Sequence, residues 1–515
     1  MTFEELKQVL FVRGNFGMKL GLERMREALS LLGDPHLAVP VLHVAGTNGK
    51  GSTCAFTEAA LRVAGLKTGL YTSPHLVHFC ERIRIAGEPV PEERAAMLLE
   101  EILRRVPWAL RDDGLTFFEL ATLMAFLAFA QERVQVAVVE VGLGGRLDAT
   151  NVVEPLACAV ATIGLDHVQW LGPTLSDVAA EKAGILKKGA PAVTAGQTRA
   201  AAEVLDRRAA ELGTALWRPG RDYVYESRDV RPFCYAGPDG FHVSVGETKE
   251  VARGACSGNK LSSAAADDCD QTERPDRADV STGEHAPGRV ESGLALAGHY
   301  QRANAALACA LLQVAARRGL PVTAEHVRAG LRTARWPGRL EVVAVRPLVI
   351  VDGAHNSHAA HAVARALPAL VGRRRIQLVF AAMSDKDHEG MLRELVPLAA
   401  AVHLCAVDSP RAAAPQELAA VARRLGARSC AVHRSVAAAL AAAVVEAVPR
   451  VAAAEPRVAE AEPRVAVATV NGAGAGGGER TAEGVVLCCG SLYLVGEVLA
   501  AVGGRLVVRM PSERL

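Results

Sequence analysis

Val41-Leu-His-Val-Ala-Gly46-Thr47-Asn48-Gly49-Lys50-Gly51-Ser52-Thr53 runs from an apolar strand into a glycine-rich turn that carries a lysine and hydroxyl side chains. Glycines in such a turn let backbone N–H groups curl around phosphate oxygens, and the lysine adds a point charge. The helix that follows, expected over about Ser52 to Val63, points its positive N-terminal end at the anion. The stretch therefore reads as a holder for a nucleotide triphosphate, with ATP as the first ligand to consider. The general pattern G-x-x-x-x-G-K-[ST] would place glycine at Val44 and a hydroxyl at Gly51, so this is a variant loop. The alternative is a strand-to-helix turn with an incidental lysine, and the order strand, loop, helix weighs against it.

Outward from that turn, apolar runs at Val39–Ala45, Lys67–Tyr71, Val134–Val141, Ala157–Ile163 and Ala192–Ala195 alternate with Ala- and Leu-rich helical stretches. The alternation predicts a largely parallel, helix-covered sheet, an α/β fold. A second set, Leu348–Val351, Ile376–Phe380, Ala401–Ala406 and Gly484–Cys489, predicts a smaller Rossmann-like α/β domain. Pro337 and Gly338 stop the helix before them, which divides the chain into 1–336 and 337–515. Between Tyr223 and Val251, valine and aromatic runs with Gly and Pro turns predict a small antiparallel excursion. Residues 253–293 are poor in large apolar side chains and read as an unstructured insertion. Residues 447–482 repeat Pro-Arg-Val-Ala and read as a second, low-complexity insertion.

At 515 residues the chain can form two or three domains. A net charge of +2 supplies no overall field toward nucleic acid or a membrane surface. Eleven cysteines without a C-x-x-C pair read as small buried hydrophobes in a reducing compartment. No apolar run of about 18 residues occurs, so the expectation is a cytoplasmic protein.

Four further segments carry chemistry. Tyr71-Thr72-Ser73-Pro74-His75-Leu76 ends a strand, where ligands of parallel sheets gather, so Ser73 is either a ligand or an ordinary turn serine. In Glu140-Val-Gly142-Leu-Gly144-Gly145-Arg146-Leu-Asp148-Ala-Thr-Asn151 a carboxylate closes a buried strand. Burying it requires a cation or an arginine partner, and Mg²⁺ beside a triphosphate is the favoured one. Arg146 could fork onto a substrate carboxylate. Asp166-His167 ends another strand, and His167 is a metal or phosphate contact or a hydrogen-bonded structural residue. Glu181 and Lys182, on a helix stopped by Gly184, read by themselves as a solvated face.

Together these segments, with Gly298–Asn304, Trp336–Glu341, Asp352-Gly-Ala-His355-Asn356 and Asp385-Lys-Asp387, resemble the folylpolyglutamate synthase/dihydrofolate synthase family of the Mur-ligase superfamily, and they do so in family order. The resemblance implies an ATP-dependent amide-forming ligase of folate biosynthesis and one-carbon metabolism. It implies Mg²⁺ on Ser73, Glu140 and His167, with two sites, a place for a monovalent cation, and Lys182 carbamylated to face the second metal. It assigns Gly46, Thr47, Asn48, Gly49, Lys50, Gly51 and Ser52 to the phosphates, with Lys50, Glu140, His167 and Lys182 as the catalytic set. Asn304, Arg339, Asp352 and His355 would complete the ATP site from the domain junction. Thr116 and Asp148 would line a pterin pocket. Departures are His-Tyr-Gln at 299–301, Ala381-Ala382 before Asp385, and the two insertions.

The implied reaction activates a carboxylate of dihydropteroate or reduced folate on ATP as an acyl phosphate, which L-glutamate then attacks. The implied partners are these small molecules, with no nucleic acid and no membrane, and the protein a monomer. Three alternatives stand beside the bifunctional reading: a monofunctional folylpolyglutamate synthase, a cell-wall Mur-type amino-acid ligase, and an ATP-binding regulatory protein that no longer ligates.

Overall fold

The structure, a computed structural model, describes residues 1–14, 21–227, 232–246, 293–448 and 484–503. The two expected insertions, 253–293 and 447–482, fall almost wholly outside the described residues. The chain forms two compact units that divide between Trp336 and Pro337.

The first unit is built on an eight-stranded sheet: β1 (Val41–Ala45), β2 (Thr68–Tyr71), β3 (Ile83–Ile85), β4 (Glu88–Pro89), β5 (Val136–Glu140), β6 (Ala157–Val160), β7 (Ala192–Thr194) and β8 (Leu216–Trp217). Their order in the sheet is β4-β3-β2-β5-β1-β6-β7-β8. From β2 to β8 neighbours are parallel, and β3 and β4 extend one edge as an antiparallel hairpin. Every residue of β1, β2, β5 and β6 is buried, as strands covered on both faces must be.

Alternation along the strands divides the core. Val41, Tyr71, Ala137 and Val139 pack with helices Phe3–Gly14, Glu92–Arg105 and Phe117–Gln131. Leu42, Val44, Leu70, Val136 and Val138 pack on the other face with helices Lys50–Val63, Tyr300–Arg317 and Ala324–Thr333. The helix that starts in the lysine turn is thus enclosed. Gly330 lies so close to it that a Cβ there would stand 2.5 Å from the backbone N and Cα of Ala60. Helices Leu175–Ala183 and Arg199–Leu212 close a third core over β6 and β7.

Between 223 and 251 the chain makes the expected antiparallel excursion: β9 (Val224–Tyr225), β10 (Phe233–Ala236) and β11 (His242–Val245). The run expected to continue to Ile163 stops at Val160. Just beyond it Thr162 bridges to Asn48, and the Thr162 carbonyl accepts from the Thr47 and Asn48 amides at 2.9 and 3.2 Å.

The second unit holds β12 (Glu341–Val345), β13 (Leu348–Asp352), β14 (Ile376–Phe380), β15 (Ala399–Leu404), β16 (Cys430–Val432) and β17 (Val485–Cys489) in the order β12-β13-β17-β14-β15-β16. All pairings are parallel except that of β12 with β13. The fold class is therefore α/β in both units. Among the described residues no helix is long and apolar enough to cross a membrane.

Candidate active site

The lysine turn connects β1 to helix Lys50–Val63. Gly49 sits at its N-terminal boundary with φ of +88°, a conformation that costs an L side chain about 1–2 kcal/mol. A Cβ at Gly49 would also approach Asn304 Oδ1, and Asn304 is oriented by donating from Nδ2 to Gln301 Oε1 at 2.9 Å. A Cβ at Gly51 would lie 2.5 Å from the indole of Trp336. That contact explains why the loop departs from the pattern there: the ring occupies the space a serine or threonine would need. Ser52 and Thr53 are buried in the first helical turn.

The turn is fastened to the end of β6. Thr47 Oγ1 donates to the Gly164 carbonyl at 3.0 Å and accepts from the Gly164 amide at 3.1 Å. Lys50 Nζ donates to the Thr47 carbonyl at 3.2 Å and lies 4.0 Å from Glu140 Oε1. The Glu140 carboxylate, 4% exposed, closes β5 beside β1, and its Oε2 accepts from the Ser73 amide at 3.3 Å. Three neighbouring strand ends, β2, β5 and β1, thus bring Ser73, Glu140 and the lysine turn together.

Lys182 reaches the same place from helix Leu175–Ala183. It is 4% exposed and donates from Nζ to the Gly46 carbonyl at 2.9 Å. Burial, reinforced by the positive charge of Lys50, pushes its amine down to about 7. Near neutral pH a large share of this amine is unprotonated, the form able to add carbon dioxide. Read by itself the segment put Lys182 on a solvated helix face, while the family resemblance put it in the site; the structure places it inside, against the lysine turn.

His167 has φ of +51°, in the left-handed region, at the start of the short helix Val168–Leu171. Its amide donates to Asp166 Oδ1 at 2.9 Å, and its Nε2 lies 3.8 Å from the same oxygen. Such a backbone persists only where its surroundings enforce it. Among the described residues no cluster of three or more His, Cys, Asp and Glu side chains forms a ready metal cage. The residues that would hold a metal here are Glu140, the Ser73 hydroxyl and a carboxylate borne on Lys182. Their donors are oxygens, which suit a hard divalent cation next to phosphate.

The turn after β2 is held by Arg82, which is buried and donates from Nε to His75 Nδ1 at 2.8 Å while its guanidinium covers the Phe117 ring. Burial and the Arg82 charge keep the His75 imidazole well below its ordinary value, hence neutral. Thr116 caps helix Phe117–Gln131 and exchanges hydrogen bonds with Glu119. Arg24 pairs with that Glu119 at 3.0 Å.

Arg146 donates from Nε and Nη2 to Glu181 Oε1 at 3.1 and 2.8 Å, and its amide donates to the Glu181 carbonyl. In this structure the guanidinium therefore docks the Gly142–Asn151 loop onto the Lys182 helix. Asp148 is buried. Its Oδ1 accepts from the Thr150 amide and hydroxyl at 3.0 and 2.5 Å, and its Oδ2 from the Leu143 amide at 2.8 Å.

In the second unit, Asp352 closes β13 and accepts from the Leu340 and Ala354 amides at 2.9 and 2.8 Å. His355 Nδ1 meets the Gly353 carbonyl at 2.9 Å, and Arg339 Nη1 donates to the Gly338 carbonyl at 2.9 Å. These three predicted residues share one strand end.

Trp336 and Gln301 fall in segments named from the sequence, but neither the contact of Trp336 with Gly51 nor that of Gln301 with Asn304 was anticipated. The signals were the glycine standing where a hydroxyl is usual and the His-Tyr-Gln departure at 299–301.

Residues 338–453 match the family description "Mur ligase, glutamate ligase domain". The dihydrofolate synthase/folylpolyglutamate synthase of Bacillus subtilis is 35% identical over 422 residues, 81% of this chain and 88% of that protein. The solved structure of E. coli FolC in complex with DHPP and ADP superposes with a TM-score of 0.74 at 28% identity, covering 98% of both chains. The bifunctional folylpolyglutamate synthase/dihydrofolate synthase from Yersinia pestis, complexed with AMPPNP and a Mn ion, gives 0.69 at 29% identity over 94% of each chain.

Proposed function

The chain belongs to the dihydrofolate synthase/folylpolyglutamate synthase family, and from that premise we propose how its own residues carry out the reaction. The enzyme is an ATP-dependent ligase that joins L-glutamate to dihydropteroate and to the γ-carboxylate of reduced folates, releasing ADP and phosphate. A substrate carboxylate oxygen attacks the γ-phosphorus, and the bridging oxygen leaves with ADP. The glutamate amine then attacks the acyl carbon: the C–N bond forms, the C–O bond to phosphate breaks, and the amine gives up a proton.

The observation that carries this reading is the convergence of Lys50, Lys182 and the Gly46–Gly49 turn beside the buried Glu140 carboxylate. Two cationic or amine groups and a helix N-terminus face where a transferring phosphoryl group must spread its charge. In this proposal Lys50 and the amides of Thr47 to Ser52 hold the phosphates. Magnesium, held by Ser73, Glu140, His167 and carbamylated Lys182, would neutralise developing phosphoryl charge. Asn304 in the first unit, and Arg339, Asp352 and His355 in the second, are the further nucleotide ligands. Thr116 and Asp148 serve the pterin, and Arg146 acts on substrate by holding its loop. The same reading has the enzyme acting as a cytoplasmic monomer on small molecules, with no nucleic acid or membrane partner.

The test is L-glutamate-dependent ADP release with Mg²⁺ and ATP, run with dihydropteroate and with tetrahydrofolate as acceptors. Turnover with both is expected. Turnover with tetrahydrofolate alone would reduce the enzyme to tail extension, and none with either would overturn the proposal.

A further inference from the structure

The loop of Gly142–Asn151 begins two residues after Glu140 and is fastened at several points to the end of helix Leu175–Ala183, which bears Lys182. The last carbonyls of a helix have no partners within it. Here the loop supplies donors: the Arg146 amide donates to the Glu181 carbonyl at 2.8 Å, and Asn151 Nδ2 donates to the Gly184 carbonyl at 3.1 Å. The same Nδ2 donates to the Arg146 carbonyl at 3.0 Å, so one buried amide closes the loop on itself and onto the helix end. On the solvent side the Arg146 guanidinium donates twice to Glu181 Oε1.

Two glycines permit this approach. A Cβ at Gly145 would stand 2.8 Å from the Glu181 carbonyl oxygen and 3.1 Å from that of Lys182, and one at Gly184 would run into Cα and Cβ of Arg146. Backbone therefore meets backbone, and close-packed contacts of that kind leave the helix end little room to slide or turn. The result is a closed circuit. It runs from Glu140 at the end of β5, through the loop and its fastening, to Lys182, whose Nζ donates to the Gly46 carbonyl just beyond β1, and β1 pairs with β5. The place of Lys182 relative to Glu140 is thus set from both directions.

We propose that Arg146, Glu181 and Asn151 are positioning residues for the divalent cation: they hold Lys182 in a fixed place relative to Glu140, so that oxygen donors from two distant segments meet the ion already arranged. This rests on the reading of Lys182 as a metal ligand once carbon dioxide has added to its amine. A hard cation rewards oxygen donors set in advance, and residues that orient ligands without touching the metal change its affinity by about 10- to 100-fold. The other role open to Arg146, a fork onto a substrate carboxylate, makes a different demand on Glu181. Removing Glu181 would then release the guanidinium for substrate and leave the metal alone.

The experiment measures Mn²⁺ binding to the full chain with AMPPNP, in buffer equilibrated with carbon dioxide, from the electron paramagnetic resonance signal of the free ion, together with thermal melting. The variants are Arg146→Met, Glu181→Met, the two combined, Arg146→Lys, Asn151→Leu and Lys182→Met. Expected is a rise in Kd for Mn²⁺ of at least about tenfold in Arg146→Met, Glu181→Met and Asn151→Leu. The combined variant should be weaker than either single by less than about threefold, because both break the same contact. Arg146→Lys can still donate to Glu181 Oε1 and should stay within about threefold of the parent. Asn151→Leu strands two carbonyls, so Arg146→Met and Glu181→Met, on the solvent side, decide the matter if it does not fold. A merely structural role would lower the melting temperature and leave Kd for Mn²⁺ alone, and that result in Arg146→Met or Glu181→Met overturns the proposal. So does a loss of affinity in Arg146→Met that Glu181→Met does not share. Lys182→Met separates the two readings. If it leaves Kd unchanged, Lys182 is not a metal ligand and the inference falls with that premise; if it alone raises Kd, the premise stands and only the positioning role is wrong.

Discussion

Replacing Lys182 by methionine should abolish ligation and yet make the protein harder to melt. The amine is buried and its affinity for a proton falls from the ordinary 10.5 to about 7. At about 1.4 kcal/mol for each tenfold change, the fold spends about 5 kcal/mol on holding the protonated form. Methionine has a similar length and no charge to bury. It forfeits the hydrogen bond to the Gly46 carbonyl, worth about 1–3 kcal/mol, so the net gain is about 2 kcal/mol. The sign with pH follows from proton binding. Between pH 7 and 10.5 the unfolded chain holds more protons than the folded one, so parent stability climbs across that window. The penalty is full below about pH 7 and absent above about 10.5, and the methionine variant shows no such climb. Thermal melts of the nucleotide-free protein in CO₂-free buffer should place Lys182→Met about 4–8 °C above the parent near pH 6.5, with the gap closing toward pH 10. A variant that melts at or below the parent near pH 6.5, or a gap that does not narrow with pH, would refute the reasoning.

Glu140→Gln keeps the shape of a buried side chain while deleting the charge opposite Lys50; kcat should fall by at least about 100-fold with the melting temperature little changed, and a parent-like rate would remove Glu140 from the chemistry. Gly49→Ala forces a side chain into φ of +88° and onto Asn304, so KM for ATP, read from initial rates, should rise about tenfold, and an unchanged KM would show that the turn relaxes freely. Gly330→Ala pushes a Cβ into the Ala60 backbone, and urea titration should show a loss of about 1–3 kcal/mol.

The sequence made the strands easy to find where they are wholly buried. β1, β5, β14 and β17 are runs of five apolar or nearly apolar residues bounded by turns, and they appear within two residues of expectation at either end. The hairpin of β3 and β4 and the short β8 are too brief and too exposed to stand out from loops. The site was legible where chemistry clusters locally, as in Gly46–Ser52 and Glu140–Asn151. It was not legible where partners are far apart in the chain: Arg146 and Glu181 are 35 residues apart, and only folding shows that they pair. Thr116 illustrates a signal present but differently used, since Thr-Phe-Phe-Glu is the spacing of a capping box and its hydroxyl accepts from the Glu119 amide. Lys182 could not be placed by the local pattern of its helix, only by the family resemblance, because one buried lysine on a helix looks like any surface lysine until its surroundings are known.

In the first unit the lysine turn, the Ser73 turn, Glu140 and the Asp166-His167 pair all follow the carboxyl ends of adjacent strands, β1, β2, β5 and β6. None of these candidate site residues lies on the opposite rim of that sheet. Its turns at Gly65, Gly189 and Gly213 face open space where a side chain would begin. A cut at Gly65 or Gly213 on that rim would therefore leave the spatial order of those groups unchanged. What matters in space is the ordering of these groups across hydrogen-bonded parallel neighbours, and the order in which the chain visits those strands is incidental to it.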